Sequence, residues 1–377
     1  MKIVFYSNFI NHHQVPLADA LYELTDKNYV FVATMPLPEA FAKNGYEDYS
    51  NKSYLLKAYE SKESFDKAMK LAEEADVVIL GSAPGCYLKK RLQENKLTFR
   101  YSERWFKRLK NRFMNPYYLL RDHYRYLNKP LYMLAASAYT ARDVNGIGLY
   151  RKKIYKWGYF TEVDNTVKLV EAKSTSNITS LMWCARFIDW KHPELAIKLI
   201  YRLKQEGYNI SLDMYGSGEK LESMIQLAKK LRVDDIVNFK GSVPNTEILS
   251  QMRKHDIFLF TSDKAEGWGA VLNESMANGC AVVASNLIGS VPFLIKDGEN
   301  GCIFESENLE SLYEKVTFLI NNPRQKNKIQ QNALKTMQEV WNARNAAKQL
   351  LLLIKALQTS DMSLIPQEGP CSVAERI

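Results

Sequence analysis

The sequence predicts an α/β protein of two doubly wound domains. Three observations predict it. Its 377 residues exceed one domain of ~100–200 residues and suit two. Short β-branched and aromatic runs alternate with helical stretches of ~10–15 residues, the pattern of βαβ crossovers and parallel sheets. The alternation comes as two series, separated by the polar, weakly periodic stretch Thr161–Asn177. Ligands of such sheets gather at the carboxyl ends of the strands.

In the first series the strands are expected at Lys2–Ser7, Tyr29–Ala33, Asp76–Gly81, Leu97–Ser102, Leu131–Leu134 and Lys153–Lys156. The opening Met1-Lys2-Ile3-Val4-Phe5-Tyr6-Ser7-Asn8 has no small-residue cleavage site and reads as a strand rather than a signal peptide. Val15–Leu24 and Ser64–Glu74 are amphipathic and read as helices. The second series places strands at Thr179–Cys184, Ile210–Tyr215, Ile236–Phe239, Ile257–Thr261 and Ala281–Ser285. Helices at 194–206, 219–231, 246–254 and 270–278 separate them, and helices at 308–321, 325–340 and 343–358 follow with no strand between. The expected division is therefore a domain over 1–165, a domain over 166–342, a helix over 343–360 and a tail over 361–377. With Pro366, Gly369 and Pro370 the tail reads as a frayed end.

Composition narrows the class. With 46% hydrophobic and 25% charged residues the chain is an ordinary globular one, neither disordered, collagenous nor a disulfide scaffold. No apolar run approaches the ~18 residues of a membrane span. Cys86, Cys184, Cys280, Cys302 and Cys371 are dispersed and odd in number, which points to a reducing cytosol and away from a zinc site or disulfides. The net charge of +9 is local: residues 89–156 hold 18 Lys/Arg against 4 Asp/Glu, whereas 171–377 hold 24 of each. That concentration fits an anionic partner.

The richest motif runs from Ser262 to Gly279, after an apolar strand and into a helix. Gly267 and Gly269 let backbone approach a ligand, and the first helical N–H groups, near Ala270 and Val271, form an anion site at the strand's carboxyl end. Glu266 precedes the loop Gly267-Trp268-Gly269, and Glu274 lies a turn into the helix. Two carboxylates flanking a phosphate-sized donor cluster suit a sugar-nucleotide. A glycine turn with two incidental acids reads equally well. Arg186 and Lys191 occupy another loop at a strand end, before Pro193. Fixed there, two cations neutralise a leaving diphosphate without a metal, although solvated loop cations have the same spacing. Tyr215-Gly216-Ser217-Gly218-Glu219 is strand, Gly-x-Gly, helix, a weak signal alone.

As a set, and in this order, these pieces resemble retaining nucleotide-sugar glycosyltransferases of the GT-B fold, family 4. Ala185-Arg186…Lys191, Met214–Gly218, Phe239–Val243, Glu266-x7-Glu274, Ala281–Ser285 and Asn300–Phe304 carry the resemblance, over about Ser180–Asn322. It implies two Rossmann-like domains facing a cleft, with a last helix, Asn345–Leu357, crossing back to the first. It further implies that Arg186 and Lys191 bind the donor pyrophosphate, Glu266 the hydroxyls of the transferred sugar and Glu274 the ribose. Backbone of Gly267, Trp268, Gly269, Ala270 and Val271 would touch sugar and phosphate. The Gly216–Gly218 loop would join the donor site, and backbone around Ser242 and Val243 would touch the base. The donor is expected to be a nucleotide diphosphate-sugar, a UDP-sugar first, with no cofactor and no metal.

The first domain departs from the commoner pattern. Its first strand is followed by Asn11-His12-His13-Gln14 rather than a Gly-Gly loop, and Glu103 or Arg104 stands where many members carry a histidine. His12, His13, Gln14, Glu103 and Arg104 are the acceptor-side candidates, with polar capping as the other reading of the first three. His123 reads as a surface histidine. Between Arg100 and Lys129, basic residues interleave with Trp105, Leu109 and Phe113 at helical spacing. This reads either as docking on an anionic membrane face or as an ordinary core face.

The expected activity is retaining hexosyl transfer to a hydroxyl acceptor, such as a lipid-linked saccharide in polysaccharide or glycolipid assembly. The setting would be the cytoplasm or the inner membrane face. An epimerase or phosphorylase of the same fold is the near rival, and an anionic-surface or nucleic-acid module the distant one. Nucleic acid is not the expected partner, because it would leave Glu266, Glu274 and the neutral second half unexplained.

Overall fold

The computed structural model describes residues 1–38, 48–107, 116–167 and 178–377. It forms two compact units: Met1–Glu162 with Val340–Ile377, and Val163–Glu339. The first unit holds a seven-stranded sheet of β1 (Ile3–Ser7), β2 (Tyr29–Ala33), β3 (Leu55–Lys57), β4 (Val77–Leu80), β5 (Thr98–Ser102), β6 (Leu131–Ala135) and β7 (Ile154–Lys156). The second holds six: β8 (Thr179–Cys184), β9 (Ile210–Tyr215), β10 (Val237–Gly241), β11 (Ile257–Phe260), β12 (Ala281–Ser285) and β13 (Cys302–Phe304).

Both sheets are parallel and wound the same way. The orders are β3-β2-β1-β4-β5-β6-β7 and β10-β9-β8-β11-β12-β13. Each begins at its middle, winds outward, then returns so that the fourth strand pairs with the first: Ile3↔Val77 in one sheet, Ile257↔Leu181 in the other. These two reversals are the topological switch points, where loops from adjacent strands diverge and leave room for a ligand. Central strands are buried on both faces, which is why Val77-Val78-Ile79-Leu80 and Ile257-Phe258-Leu259-Phe260 are unbroken apolar runs. The edge strands β3 and β13, three residues each, were not expected. At three residues each they show no period, although the equally short β7 was expected.

The helix Val15–Leu24 opens with Pro16 and buries Val15, Leu17, Ala18, Ala20 and Leu21. Against it lies the C-terminal helix Ala343–Thr359, which buries Ala346, Ala347, Leu350, Leu353 and Ile354. Alanines on both faces allow the close approach, and Arg344 pairs bidentately with Glu23 at 2.9 and 3.0 Å. The last helix is thus part of the first unit.

Two expectations are corrected. The tail does not fray: Cys371 and Ser372 are fully buried. Lys156 N–H donates to Ser372 C=O, Cys371 N–H to Lys156 C=O (both 2.7 Å) and Ala374 N–H to Ile154 C=O (3.0 Å). β7 is an edge strand, and the tail covers polar groups that would otherwise be unpaired. Trp105 does not open a helix but sits in a bend after β5. Leu109 and Phe113 lie outside the described residues. Among those described, no helix is long and apolar enough to cross a membrane.

Candidate active site

In the second unit the switch point separates β8 from β11. The loop after β8 carries Arg186 and Lys191 to the helix Pro193–Gln205, and the loop after β11 carries Glu266 to the helix Val271–Ala277. Because β8 and β11 are parallel neighbours, both loops leave the same edge. They are stitched together. Trp183 Nε1 donates to Thr261 Oγ1 at 2.9 Å, and that hydroxyl donates to Lys191 C=O at 2.6 Å. Asp263 N–H donates to Trp190 C=O at 3.0 Å. Across this frame the Lys191 ammonium pairs with the Glu266 carboxylate. The Arg186 guanidinium lies over the Trp190 ring, 5.7 Å from its centroid. Arg186, Lys191 and Glu266, read separately from the sequence, belong to one loop pair.

Glu274 lies in the helix Val271–Ala277, nearly covered. Asn245 Nδ2 donates to its Oε1 at 3.3 Å. Burial outweighs that bond and pushes the carboxyl up to about 7. The Trp268 side chain is core, and its Nε1 donates to Asn273 Oδ1 at 2.9 Å. Only its backbone is left to meet a ligand. Gly269 has φ +84°, and a Cβ there would stand 2.4 Å from Phe260 Cζ, so this turn admits no side chain. Ala270 C=O accepts from Glu274 N–H at 3.1 Å, and Val271 begins the helix.

The Gly-x-Gly segment packs against the loop that carries Arg186. At Gly216, φ +127°, a Cβ would stand 2.0 Å from Ala185 O, and at Gly218 one would stand 2.4 Å from Phe187 O. Phe187 N–H donates to Ser217 C=O at 2.9 Å, and Lys220 N–H to Phe187 C=O at 3.0 Å. The glycines let backbone close on backbone and so fix the loop that carries Arg186. Ser242 Oγ donates to Ser217 Oγ at 3.1 Å, which sets Ser242 and Val243 beside that loop.

His192 was missed. Its Nδ1 lies 3.0 Å from Glu194 Oε1 and its Nε2 3.5 Å from Asp263 Oδ2. The two carboxylates hold the imidazole up to about 9. The only sequence signal was a histidine preceding Pro193 between two acids. His192, Asp263 and Glu307 bring potential metal-ligand atoms within 4.8 Å of one another, and a metal there would have to displace the proton that the two carboxylates favour on the imidazole. The pair clamps Lys191's neighbour to the Glu266 loop. A histidine raised in the folded state contributes stability that is full below its unfolded value of ~6.5 and lost as pH rises through about 9. His192→Gln is therefore expected to melt below wild type at about pH 6, with the gap closing by about pH 9.5. A gap independent of pH would refute the charged clamp.

In the first unit, His12, His13 and Gln14 follow β1. The two imidazoles lie 3.8 Å apart, and His13 stacks on Tyr159 at 6.0 Å. Gln14 closes the turn, its Oε1 accepting from Asn11 N–H at 3.2 Å. Glu103 pairs with Lys107 and accepts from Tyr159 OH at 2.6 Å. Arg104 lies 3.8 Å from Asp143 and over the Tyr139 ring. His123 is not a surface histidine: Nδ1 meets Tyr150 OH at 2.8 Å, its ring packs on Trp105, and burial pushes it down to about 3. Glu103, Arg104 and His123 line one pocket of about 610 Å³ at the end of β5.

Residues 166–336 match the family model for Glycosyl transferases group 1. An uncharacterized glycosyltransferase of Haemophilus influenzae is 35% identical over 113 residues, covering 30% of this chain and 31% of that protein. An N-acetylgalactosamine-N,N'-diacetylbacillosaminyl-diphospho-undecaprenol 4-alpha-N-acetylgalactosaminyltransferase of Campylobacter jejuni is 30% identical over 165 residues, covering 43% of each. The chain thus spans less than half the length of these curated relatives. Among solved structures, Anabaena HepE in complex with UDP superposes with a TM-score of 0.71 at 14% identity, over 94% of this chain and all of that one. The fold expectation is borne out: two Rossmann-like α/β domains of the GT-B class.

Proposed function

We propose that this chain, with its glycosyltransferase group 1 domain at 166–336, is a retaining transferase. It moves a hexose from a nucleotide diphosphate-sugar, a UDP-sugar first, to a hydroxyl of a polysaccharide or lipid-linked saccharide. The observation that carries the reading is the Lys191–Glu266 pair across the switch point, with Arg186 in the same loop and Glu274 in the helix behind. In the free protein Lys191 and Glu266 neutralise each other. A bound diphosphate takes the Lys191 ammonium and Arg186, and Glu266 is released to accept from hydroxyls of the transferred sugar. Charge grows on the departing diphosphate in the transition state, so two preorganised cations lower the barrier there more than they stabilise the ground state. Glu274 accepts from the ribose. Support for the acceptor class comes from the diphospho-undecaprenol-borne saccharide in the Campylobacter relative's name, and for the donor from the UDP in the Anabaena structure.

The test is a panel of nucleotide-sugars incubated with the protein without acceptor, with hydrolysis followed by mass spectrometry. One donor is expected to be cleaved slowly, and as fast in EDTA as without it. Loss on chelation, restored by Mn²⁺ or Mg²⁺, would sink the metal-free leaving-group role, and a panel with no donor bound or cleaved would sink the transferase. The basic excess over 89–156 adds peripheral contact with an anionic membrane to the proposal. The protein is expected to sediment with acidic vesicles and to lose this in salt. Equal binding to neutral vesicles would count against it.

A further inference from the structure

Arg100 stands in β5, in register with Leu80 on one side and Met133 on the other. It lines the 610 Å³ pocket of the first unit, within the ~300–1,000 Å³ typical of small-molecule sites. Its Nε and Nη2 are buried and have no hydrogen-bond partner among the described residues. Guanidinium N–H groups left unsatisfied are costly, so these two groups are available to a ligand that can reach them.

The carboxylates around it are already engaged. Asp122 is held by Arg121 through two bonds of 2.7 Å. Glu103 is shared between Lys107 and Tyr159. Asp143 lies beside Arg104 and accepts from Trp105 and Phe106 N–H at 2.9 and 3.0 Å. His123 offers no negative charge, its Nδ1 being bound to Tyr150. Trp105, also in the lining, is held by its N–H bond to Asp143 and by Nε1, which donates to Ser102 Oγ at 3.0 Å. Among the described residues, Arg100, Arg104 and Lys107 line the cavity with Glu103 as the one carboxylate.

We propose that this pocket binds a phosphate or diphosphate group carried by the acceptor, with the Arg100 guanidinium as its principal ligand. The word acceptor rests on the transferase reading; the anion site does not. Arg100 lines the pocket, and a small turn of its side chain would bring the two adjacent N–H groups that bond no described residue to the cavity as a fork that matches two oxygens of one phosphate. With Arg104 beside Asp143 and Lys107 paired with Glu103, Arg100 carries the pocket's uncompensated charge, and it is the fork geometry rather than the amount of charge that favours a phosphate.

Calorimetry with inorganic pyrophosphate on the full chain tests it. The donor loops are expected to bind pyrophosphate too, so the background is the R186Q/K191Q variant. In that background binding is expected to persist, and adding R100Q is expected to weaken it at least about tenfold, as for losing a bidentate charged contact. The melting temperature without ligand is expected to hold within about two degrees, because Nε and Nη2 bond no described residue and Asp122, on which Arg100 acts at a distance, keeps its bonds to Arg121. R100K is expected to recover only part of the affinity, since an ammonium lacks the fork. Two further arms separate the sources of the phosphate. One compares a polyprenyl diphosphate with the matching polyprenol in detergent micelles, and the other compares glycerol phosphate with glycerol. Preference for the phosphorylated member of either pair, lost in R100Q, supports the proposal and names its source. The proposal is overturned if R100Q binds pyrophosphate as well as its parent, or if R186Q/K191Q alone abolishes binding. It is equally overturned if R100Q unfolds several degrees early, which would make Arg100 a structural residue. Should wild type cleave no nucleotide-sugar while pyrophosphate still depends on Arg100, the transferase reading falls and the anion pocket stands.

Discussion

Alanine at Lys191 is expected to lower turnover by ~10²–10³-fold, the cost of removing one preorganised charge donor from a developing anion. Alanine at Arg186 is expected to do the same. The two variants should part company in stability. Lys191 and Glu266 form an ion pair whose side chains are 13% and 15% exposed. Removing the ammonium alone leaves a mostly covered carboxylate without its counter-charge, and that is more damaging than removing both. K191A should therefore melt below wild type, and K191A/E266A should recover part of that loss without recovering activity. Arg186 lies over Trp190 and pairs with no carboxylate among the described residues, so R186A should lose turnover with little change in melting. Steady-state kinetics with donor and acceptor, beside thermal melts of all three variants, gives the comparison. Turnover of K191A or R186A within about threefold of wild type would remove the leaving-group role.

The sequence and the structure agree where burial writes a pattern. β4 and β11 are covered on both faces, so they survive in the sequence as unbroken apolar runs. β3 is only half-buried at each of its three positions and carries no such run. The end of the chain misled for a different reason. Pro366, Gly369 and Pro370 look like loop punctuation, but the residues after them are needed to satisfy the edge of β7. In the site, residue types were legible and partners were not. Lys191 and Glu266 stand 75 positions apart, and only the neighbouring of β8 and β11 brings them together. The same holds for His192 and Asp263. Arg100 was the hardest to see, because a cation in a strand ordinarily points to solvent. That it faces a pocket follows from the packing of β4, β5 and β6, which no local window contains.

Glu266 and Glu274 are expected to fail differently when each becomes glutamine. Glu266 precedes the turn and pairs with Lys191, so its work is on the transferred sugar near the reacting bond. Glu266→Gln should mainly lower kcat and leave binding of the free nucleotide diphosphate intact, because that ligand has no transferred sugar. Glu274 is assigned to the ribose, which the free nucleotide keeps. Glu274→Gln should bind it several-fold more weakly and raise the donor KM. Its environment adds an effect of opposite sign on the free protein. Burial lifts the Glu274 carboxyl from the ordinary 4.5 to about 7. Between those values the folded state holds a proton that the unfolded state has released, so stability falls as pH rises through this window and levels off above it. Glutamine has no proton to lose. The melting temperature of Glu274→Gln should match wild type near about pH 4.5 and exceed it increasingly up to about pH 7, with the gap constant beyond. A glutamate kept buried at this cost is explained if a ligand's hydroxyls are what it is there to meet. If Glu266→Gln loses nucleotide affinity while Glu274→Gln keeps it, the two roles are exchanged. If Glu274→Gln binds normally and melts like wild type at every pH, the ribose assignment fails.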